Sequence, residues 1–95
     1  MSEPLTATAY VTTEAPERYA KQLASHLGRR CEIRDEPEGT RIVITGGDCL
    51  MQSRPGVLEL HATADDAESL ERVKDVVGRH LERFGQRNEL QVSWS

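Results

Sequence analysis

The longest regular pattern of apolar positions lies in the second half of the chain. Apolar residues recur there at steps of three and four: Leu70, Val73, Val77, Leu81 and Phe84. This spacing places side chains on one face of an α-helix. Asp65 and Asp66 precede the pattern, where carboxylates complement the helix dipole, and Gly85 follows it as a left-handed stop. The pattern predicts a long helix from Asp65 onward, with Phe84 anchoring its end in the core.

Shorter runs in the rest of the chain alternate apolar and polar residues. A period of two is typical of strands that bury one face. It predicts six strands, over residues 5–12, 31–35, 40–45, 49–53, 57–63 and 90–94. The side chains in the inward phase are expected to be Leu5, Ala7, Ala9, Val11, Cys31, Ile33, Ile42, Ile44, Cys49, Met51, Leu58, Leu60 and Ala62. The sheet should therefore have one apolar face.

A second, shorter helix is predicted between the first two strands. Its apolar stripe contains Tyr19, Leu23 and Leu27, while Thr13 suits an N-cap and Gly28 suits an end. The resulting order is strand, helix, four strands, helix, strand. Two amphipathic helices and a one-faced sheet favour an α+β two-layer sandwich. We expect a mostly antiparallel six-stranded sheet with both helices on one face.

Length and charge narrow the range of partners. The 95 residues suit a single domain, 1–95, with residues 1–4 frayed. The net charge of −4 disfavours nucleic acids and anionic membranes, since phosphate contacts need a concentrated positive field. No apolar run approaches the ~20 residues of a membrane span. The N-terminus has no basic region followed by an apolar core, so a cytoplasmic protein is expected.

The two cysteines are expected to be free thiols. Cys31 and Cys49 are too few for a disulfide scaffold. They fall on the first and third strands of the predicted four-strand meander. Such strands lie roughly 9.6 Å apart, whereas a disulfide needs its Cα atoms within about 7 Å.

Three residues form the first candidate site. His26 and His80 border the apolar stripes of the two helices, and Cys49 opens a strand in the inward phase. If both helices cover the same face, the three side chains converge, and imidazole and thiolate are good ligands for zinc or iron. The alternative is structural: hydrogen-bonded histidines and a small core cysteine. No CxxC, HxxxH or HExxH spacing is present, so no metal or cofactor is predicted.

A second candidate site is basic. Arg79, Arg83 and Arg87 recur every four residues, and Arg29 and Arg30 follow the first helix. Together they suit a carboxylate or phosphate group. The alternative is an ordinary solvated face that pairs with neighbouring glutamates. No serine, histidine and carboxylate spacing suggests catalysis, so an enzymatic role is not favoured.

Several motifs together resemble a known bacterial family. The matching positions are Tyr19-Ala20-Lys21-Gln22-Leu23, Ser25-His26, Gly47-x-Cys49, Asp75-Val76-Val77, His80-Leu81-Glu82-Arg83-Phe84, Arg87, Leu90 and Trp94. Over residues 6–94 the chain is similar to the family of unknown function DUF2218. The resemblance implies an α+β sandwich. Members are often encoded beside, or fused to, flavin-dependent siderophore-interacting reductases, so it also implies such a reductase as partner and a role in siderophore or iron handling.

Two functions follow as alternatives. The first is a non-catalytic binding or accessory domain that acts on a protein or small-molecule partner. The second is a metal- or redox-active small protein that uses Cys49, His26 and His80. The ligand-binding residues expected from the sequence are His26, Cys49, His80, Arg83 and Arg87.

Overall fold

The computed structural model of the protein describes residues 4–84 and 92–95. Its elements in chain order are β1 (Leu5–Thr12), α1 (Pro16–Leu27), β2 (Glu32–Glu36), β3 (Gly39–Ile44), β4 (Gly47–Arg54), β5 (Val57–Ala64) and α2 (Ala67–Phe84). The strands form one antiparallel sheet in the order β1-β5-β4-β3-β2. The predicted α+β class and the two predicted helices are confirmed.

Both helices pack on one face of the sheet. A single register row crosses all five strands through Ala7, Ala62, Cys49, Ile42 and Ile33. The first four of these side chains are buried and the fifth packs against the core. Both α1 and α2 contact β4 and β5, and they contact each other. Because side chains alternate along a strand, the intervening residues lie on the opposite, open face.

The predicted sixth strand, over residues 90–94, is wrong. Only its last three residues lie in the described part of the chain, and they contribute one isolated bridge, between Trp94 and Ala9. Next to this bridge, Thr8 and Ser95 exchange two backbone hydrogen bonds of 3.1 and 2.9 Å. The sheet therefore has five strands, and α2 is the last helix or strand in the described residues.

The segment before this bridge is held by α2. The backbone N–H of Val92 donates to the Glu82 carboxylate at 3.0 Å. Gly78 also lies against the segment, since a Cβ there would be in ordinary van der Waals contact with Trp94 and Val92, at 3.4 and 3.7 Å. These contacts turn the segment toward the helix, so its alternating pattern does not extend into a ladder with β1.

The two helices begin in different ways. The Thr13 hydroxyl accepts a hydrogen bond from the backbone N–H of Ala15 (3.1 Å), and Ala15 occupies the N-cap of α1. The predicted Thr13 cap is therefore wrong, and Thr13 closes a turn before the helix. At α2 the Asp66 carboxylate accepts the backbone N–H of Ser69 at 2.7 Å. That bond, with a second from the Ser69 hydroxyl, lowers the pKa of Asp66.

The turn between β3 and β4 is locked against the start of α2. Gly46 has a φ of +84°, and a Cβ there would lie 2.8 Å from Cβ of Ser69 and still closer to its hydroxyl oxygen. The Gly46 carbonyl accepts the N–H of Asp65 at 3.1 Å, and Arg72 donates to the Thr45 carbonyl at 3.3 Å. These contacts fix the position of the first turns of α2 relative to the sheet.

Burial follows the predicted apolar phases of helices and strands except near the ends of elements. Val73, Val77 and Leu81 are fully buried on α2, whereas Phe84 is half-buried, so the predicted core anchor packs against the core without being enclosed by it. Phe84 is the last residue of the helix and meets the core with one side only. Leu5 opens β1 and is 41% exposed, although it is in phase with the buried residues of that strand. The predicted stop at Gly85 lies outside the described residues.

Candidate functional site

The C-terminal ends of the two helices meet through aromatic side chains. His26 lies in the last turn of α1, while His80 and Phe84 lie in the last two turns of α2. The His26 and His80 rings have centroids 5.0 Å apart and are tilted by 44°. The Phe84 and His26 rings make a T-shaped contact, with centroids 5.3 Å apart and an angle of 83° between their planes. Two of the predicted site residues therefore come together.

A backbone hydrogen bond orients the ring of His80. Its Nδ1 lies 2.6 Å from the carbonyl oxygen of Val76, one turn earlier in α2. A carbonyl oxygen only accepts, so Nδ1 carries the proton and donates it. The other nitrogen, Nε2, remains for an external partner. It bears a lone pair when the ring is neutral and donates a hydrogen bond when the ring is protonated.

Cys49 lies in the core and does not join the histidines in a ligand set. It is fully buried on β4, paired in register with Ile42 and Ala62. Burial raises the pKa of the Cys49 thiol to about 12, and the nearby Asp48 carboxylate adds to the effect. Within residues 4–84 and 92–95, no three His, Cys, Asp or Glu side chains form a group suited to a metal ion. Cys31 and Cys49 are both free thiols, as predicted.

The predicted basic line on α2 divides into paired and unpaired residues. Arg79 pairs with Asp75 at 2.7 Å, whereas Arg83 is exposed and makes no ion pair with another described residue. Arg29 and Arg30 follow α1 and are exposed, again without an ion pair in the described part of the chain. Arg87 lies outside the described residues. Arg83, Arg29 and Arg30 therefore remain without an ion pair to a described residue, and they are close in sequence to the two histidines.

The open face of the sheet carries paired charges that the sequence analysis did not single out. Arg41 donates to Glu36 at 2.9 Å and to Asp48 at 2.7 Å, and these bonds raise its pKa. On β5, Glu59 pairs with His61 on the same strand and with Arg54 at the end of β4. The signal for this network was the polar phase of the alternating strands, where opposite charges on neighbouring strands lie diagonally, two residues off the directly paired position. Because the charges are mutually neutralised, this face offers less to an ionic ligand than the helix ends.

In the part of the chain that the structure describes, no helix has the length and apolar character needed to cross a membrane. This finding agrees with the absence of a long apolar run in the sequence.

Comparison with known proteins identifies the family. The profile of DUF2218, described as an uncharacterized protein conserved in bacteria, matches residues 8–95. The NMR structure of PA4090 from Pseudomonas aeruginosa has the same fold, with a TM-score of 0.77 and 28% sequence identity. The similarity covers 95% of this chain and 94% of that one. A search of curated proteins gives no match. The motifs around His26 and His80, the fold and the profile agree, and the chain belongs to the DUF2218 family.

Proposed function

We propose that this protein is a non-catalytic binding domain that recognises an anionic group at the ends of its two helices. We call this region the helix-end surface; it comprises His26, Arg29, Arg30, His80 and Arg83. The observation that carries the proposal is the 5.0 Å contact between the His26 and His80 rings, which joins the two helix ends into one surface. The partner is a small molecule or protein that presents a carboxylate or phosphate.

The distribution of unpaired charge supports an anionic ligand. The described basic residues without an ion pair to another described residue are Arg18, Lys21, Arg29, Arg30 and Arg83. Three of them belong to the helix-end surface, although the chain as a whole carries a net charge of −4. Helix C-termini carry partial negative charge, which neutralises part of this excess. The planar guanidinium of Arg83 suits bidentate recognition of a carboxylate.

The histidines have a supporting role in this proposal. His80 already donates from Nδ1 to Val76, so protonation adds a donor at Nε2 without disturbing the ring. His26 is exposed and lies against it, so both rings border the same anion. The ligand would thus meet Arg83 and the two imidazoles together, with Arg29 and Arg30 alongside.

A redox function has less support. The thiolate is the reactive form of cysteine, and a fully buried thiol with a pKa of about 12 stays protonated at neutral pH. Cys31 is partly exposed, but it stands before β2 and has no described hydrogen-bonding partner for its thiol. The partner implied by the family resemblance, a siderophore-interacting reductase, remains a prediction. An acidic patch on such a protein is one source of the proposed anionic group.

The proposal is tested with small anions and matched arginine variants. Tag-free protein is titrated with citrate and, separately, with inorganic phosphate, and the backbone and imidazole NMR signals are followed. We expect the signals of His26 and His80 to shift, and Arg83→Ala to weaken citrate binding several-fold because a charge-assisted hydrogen bond is lost. Arg18→Ala is the control, since Arg18 is also exposed and unpaired among described residues but lies at the start of α1.

Two results would contradict the proposal. One is the absence of any shift at the helix-end surface at millimolar citrate and phosphate. The other is equal weakening by Arg83→Ala and Arg18→Ala, which would mean that the anions respond only to net charge. The same pair of variants applies to a reductase partner, where Arg83→Ala alone should reduce complex formation.

A further inference from the structure

We propose that His26 and His80 also form a two-imidazole site for a late divalent transition-metal ion such as Zn²⁺, Ni²⁺ or Cu²⁺. This inference goes beyond anion recognition, because it depends on the ring nitrogens and not on the arginines. It uses two side chains from different helices, so the site exists only in the folded protein.

The spacing of the two rings fits shared coordination. A Zn²⁺–N bond of roughly 2.1 Å places the metal about 3.2 Å from each imidazole centroid, and a tetrahedral angle then separates the two centroids by about 5.2 Å. The observed separation of the His26 and His80 centroids is 5.0 Å. The rings are tilted by 44°, so they are not stacked face to face. The separation of the two rings is therefore compatible with both imidazoles binding one ion.

The hydrogen bond of His80 prepares one of the two ligating nitrogens. Histidines that bind metals usually donate their second ring N–H to a carboxylate or a backbone carbonyl, which fixes the tautomer and the ring orientation. His80 makes this contact through Nδ1 to the Val76 carbonyl at 2.6 Å. In the neutral ring the lone pair is then at Nε2. His26 makes a T-shaped contact with the Phe84 ring, so each of the two imidazoles has a neighbour on α2 before any ion binds.

The site would keep open positions. No third His, Cys, Asp or Glu of residues 4–84 and 92–95 completes a metal-binding group with this pair. His26 is exposed and His80 is half-buried, so water or an external ligand can reach the ion. Arg83 and Arg29 are positively charged and oppose a bare dication. They favour an ion that carries an anionic ligand. Metal binding and the proposed anion recognition would therefore use the same surface.

Zinc titration by calorimetry on tag-free protein tests the proposal directly. We expect one Zn²⁺ per chain in the wild type. His26→Ala and His80→Ala should each weaken binding at least tenfold, since even the loss of an outer-shell partner typically costs 10- to 100-fold. His61→Ala is the matched control, because His61 lies on β5 in the outward phase of the sheet and pairs with Glu59. Its zinc affinity should equal that of the wild type.

A spectroscopic measurement on the wild-type protein tests the same site without relying on variants that could misfold. The electron paramagnetic resonance spectrum with one equivalent of Cu²⁺ should show two equatorial nitrogen ligands, and the ring protons of His26 and His80 should broaden first in the NMR spectrum. Zinc binding that is absent in the wild type, or equal in the wild type and His26→Ala, would overturn the proposal. Arg83→Ala separates the two functions, because it should weaken citrate binding but should not weaken zinc binding measured without citrate or phosphate.

Discussion

A methyl group added at Gly46 should destabilise the protein far more than one added at Gly56. Both residues have positive φ, +84° and +76°, so both alanine substitutions carry the same backbone penalty of about 1–2 kcal/mol. Part of that penalty is offset because alanine also restricts the unfolded chain. The two turns differ in their surroundings. Around Gly56 nothing lies within 4 Å of the added Cβ, whereas at Gly46 it would lie 2.8 Å from Cβ of Ser69.

The clash at Gly46 cannot be relieved by a rotamer change. Ser69 lies in the first turn of α2, so its Cβ is fixed by the helix backbone, and either the turn or the helix must move. Overpacking of this kind costs typically 1–3 kcal/mol. We therefore expect Gly46→Ala to lower the free energy of unfolding by about 1–3 kcal/mol more than Gly56→Ala does. For a domain of this size each kcal/mol corresponds to roughly 4–8 °C in melting temperature.

Urea unfolding followed by circular dichroism measures this difference, with the slope of the transition checked for constancy. Removal of the Ser69 side chain provides the internal control. Ser69→Gly should be destabilising by itself, yet it should cost less in the Gly46→Ala background, because the clashing atoms are gone. If the two alanine variants unfold at the same urea concentration, or if the two substitutions at Gly46 and Ser69 add independently, the packing of this turn on α2 is refuted.

Three further predictions concern single side chains. Leu81→Ala should lower the free energy of unfolding by about 2–5 kcal/mol, and Phe84→Ala should lower it by less, because only Leu81 is fully buried; equal losses in thermal melts would contradict this ranking. The pKa of the Cys49 thiol is raised from 9.0 to about 12, so above pH 9 the thiol ionises in the unfolded chain but not in the folded one. The free energy of unfolding should therefore fall between pH 9 and 12, by up to about 1.4 kcal/mol per pH unit. Cys49→Ala should show a shallower decline over that window in urea titrations at fixed pH, and an identical decline would rule out Cys49 as its source. Asp66→Ala should lower the melting temperature at pH 7. Because the pKa of Asp66 is lowered in the folded state, its contribution to stability is present above its usual pKa and is lost as the pH falls through the folded value. The difference in melting temperature from the wild type should therefore disappear in acid, and a difference unchanged by acid would assign the effect to something other than the charged cap.

The sequence was most informative where one pattern had one physical cause. Alternation in β5 predicted the buried row of Leu58, Leu60 and Ala62, because every second side chain of a strand faces the helices. The three-and-four spacing in α2 likewise predicted the burial of Val77 and Leu81. These residues lie where α2 packs on β5, so each side chain that the pattern turns inward is also covered by the other layer.

The failures occur at the ends of elements. Leu5 is in phase with its strand but lies at its first residue, where exposure remains high. Phe84 is in phase with its helix but is the last residue, so its ring meets His26 in place of a closed core. Trp94 lies in an alternating run that has the composition of a strand, yet the segment is held by α2. Periodicity states which side a residue faces and not whether anything covers that side.

The candidate site was only partly predictable for a related reason. His26 and His80 were found because each borders an apolar stripe, and two helices on one face bring such borders together. Cys49 shares the inward phase, but the sheet face is covered so completely there that the thiol has no access to the helix ends. The orientation of His80 by the Val76 carbonyl is invisible in the sequence, since it depends on a side-chain rotamer.

The strand order has a consequence for how the chain folds. Strands β2 to β5 pair with their sequence neighbours, so each hairpin closes a short loop. By contrast, the strand that β1 pairs with in the described residues is β5, far along the chain, with Thr12 opposite Val57 and Leu5 opposite Ala64. Its other edge meets the isolated bridge at Trp94. Closing the intervening loop costs more entropy, so we expect the meander to form first and β1 to dock late. Of these five strands, β1 is synthesised first and is thus the last to find its partner, and until then the outer edge of β5 is unpaired and available to a neighbouring chain.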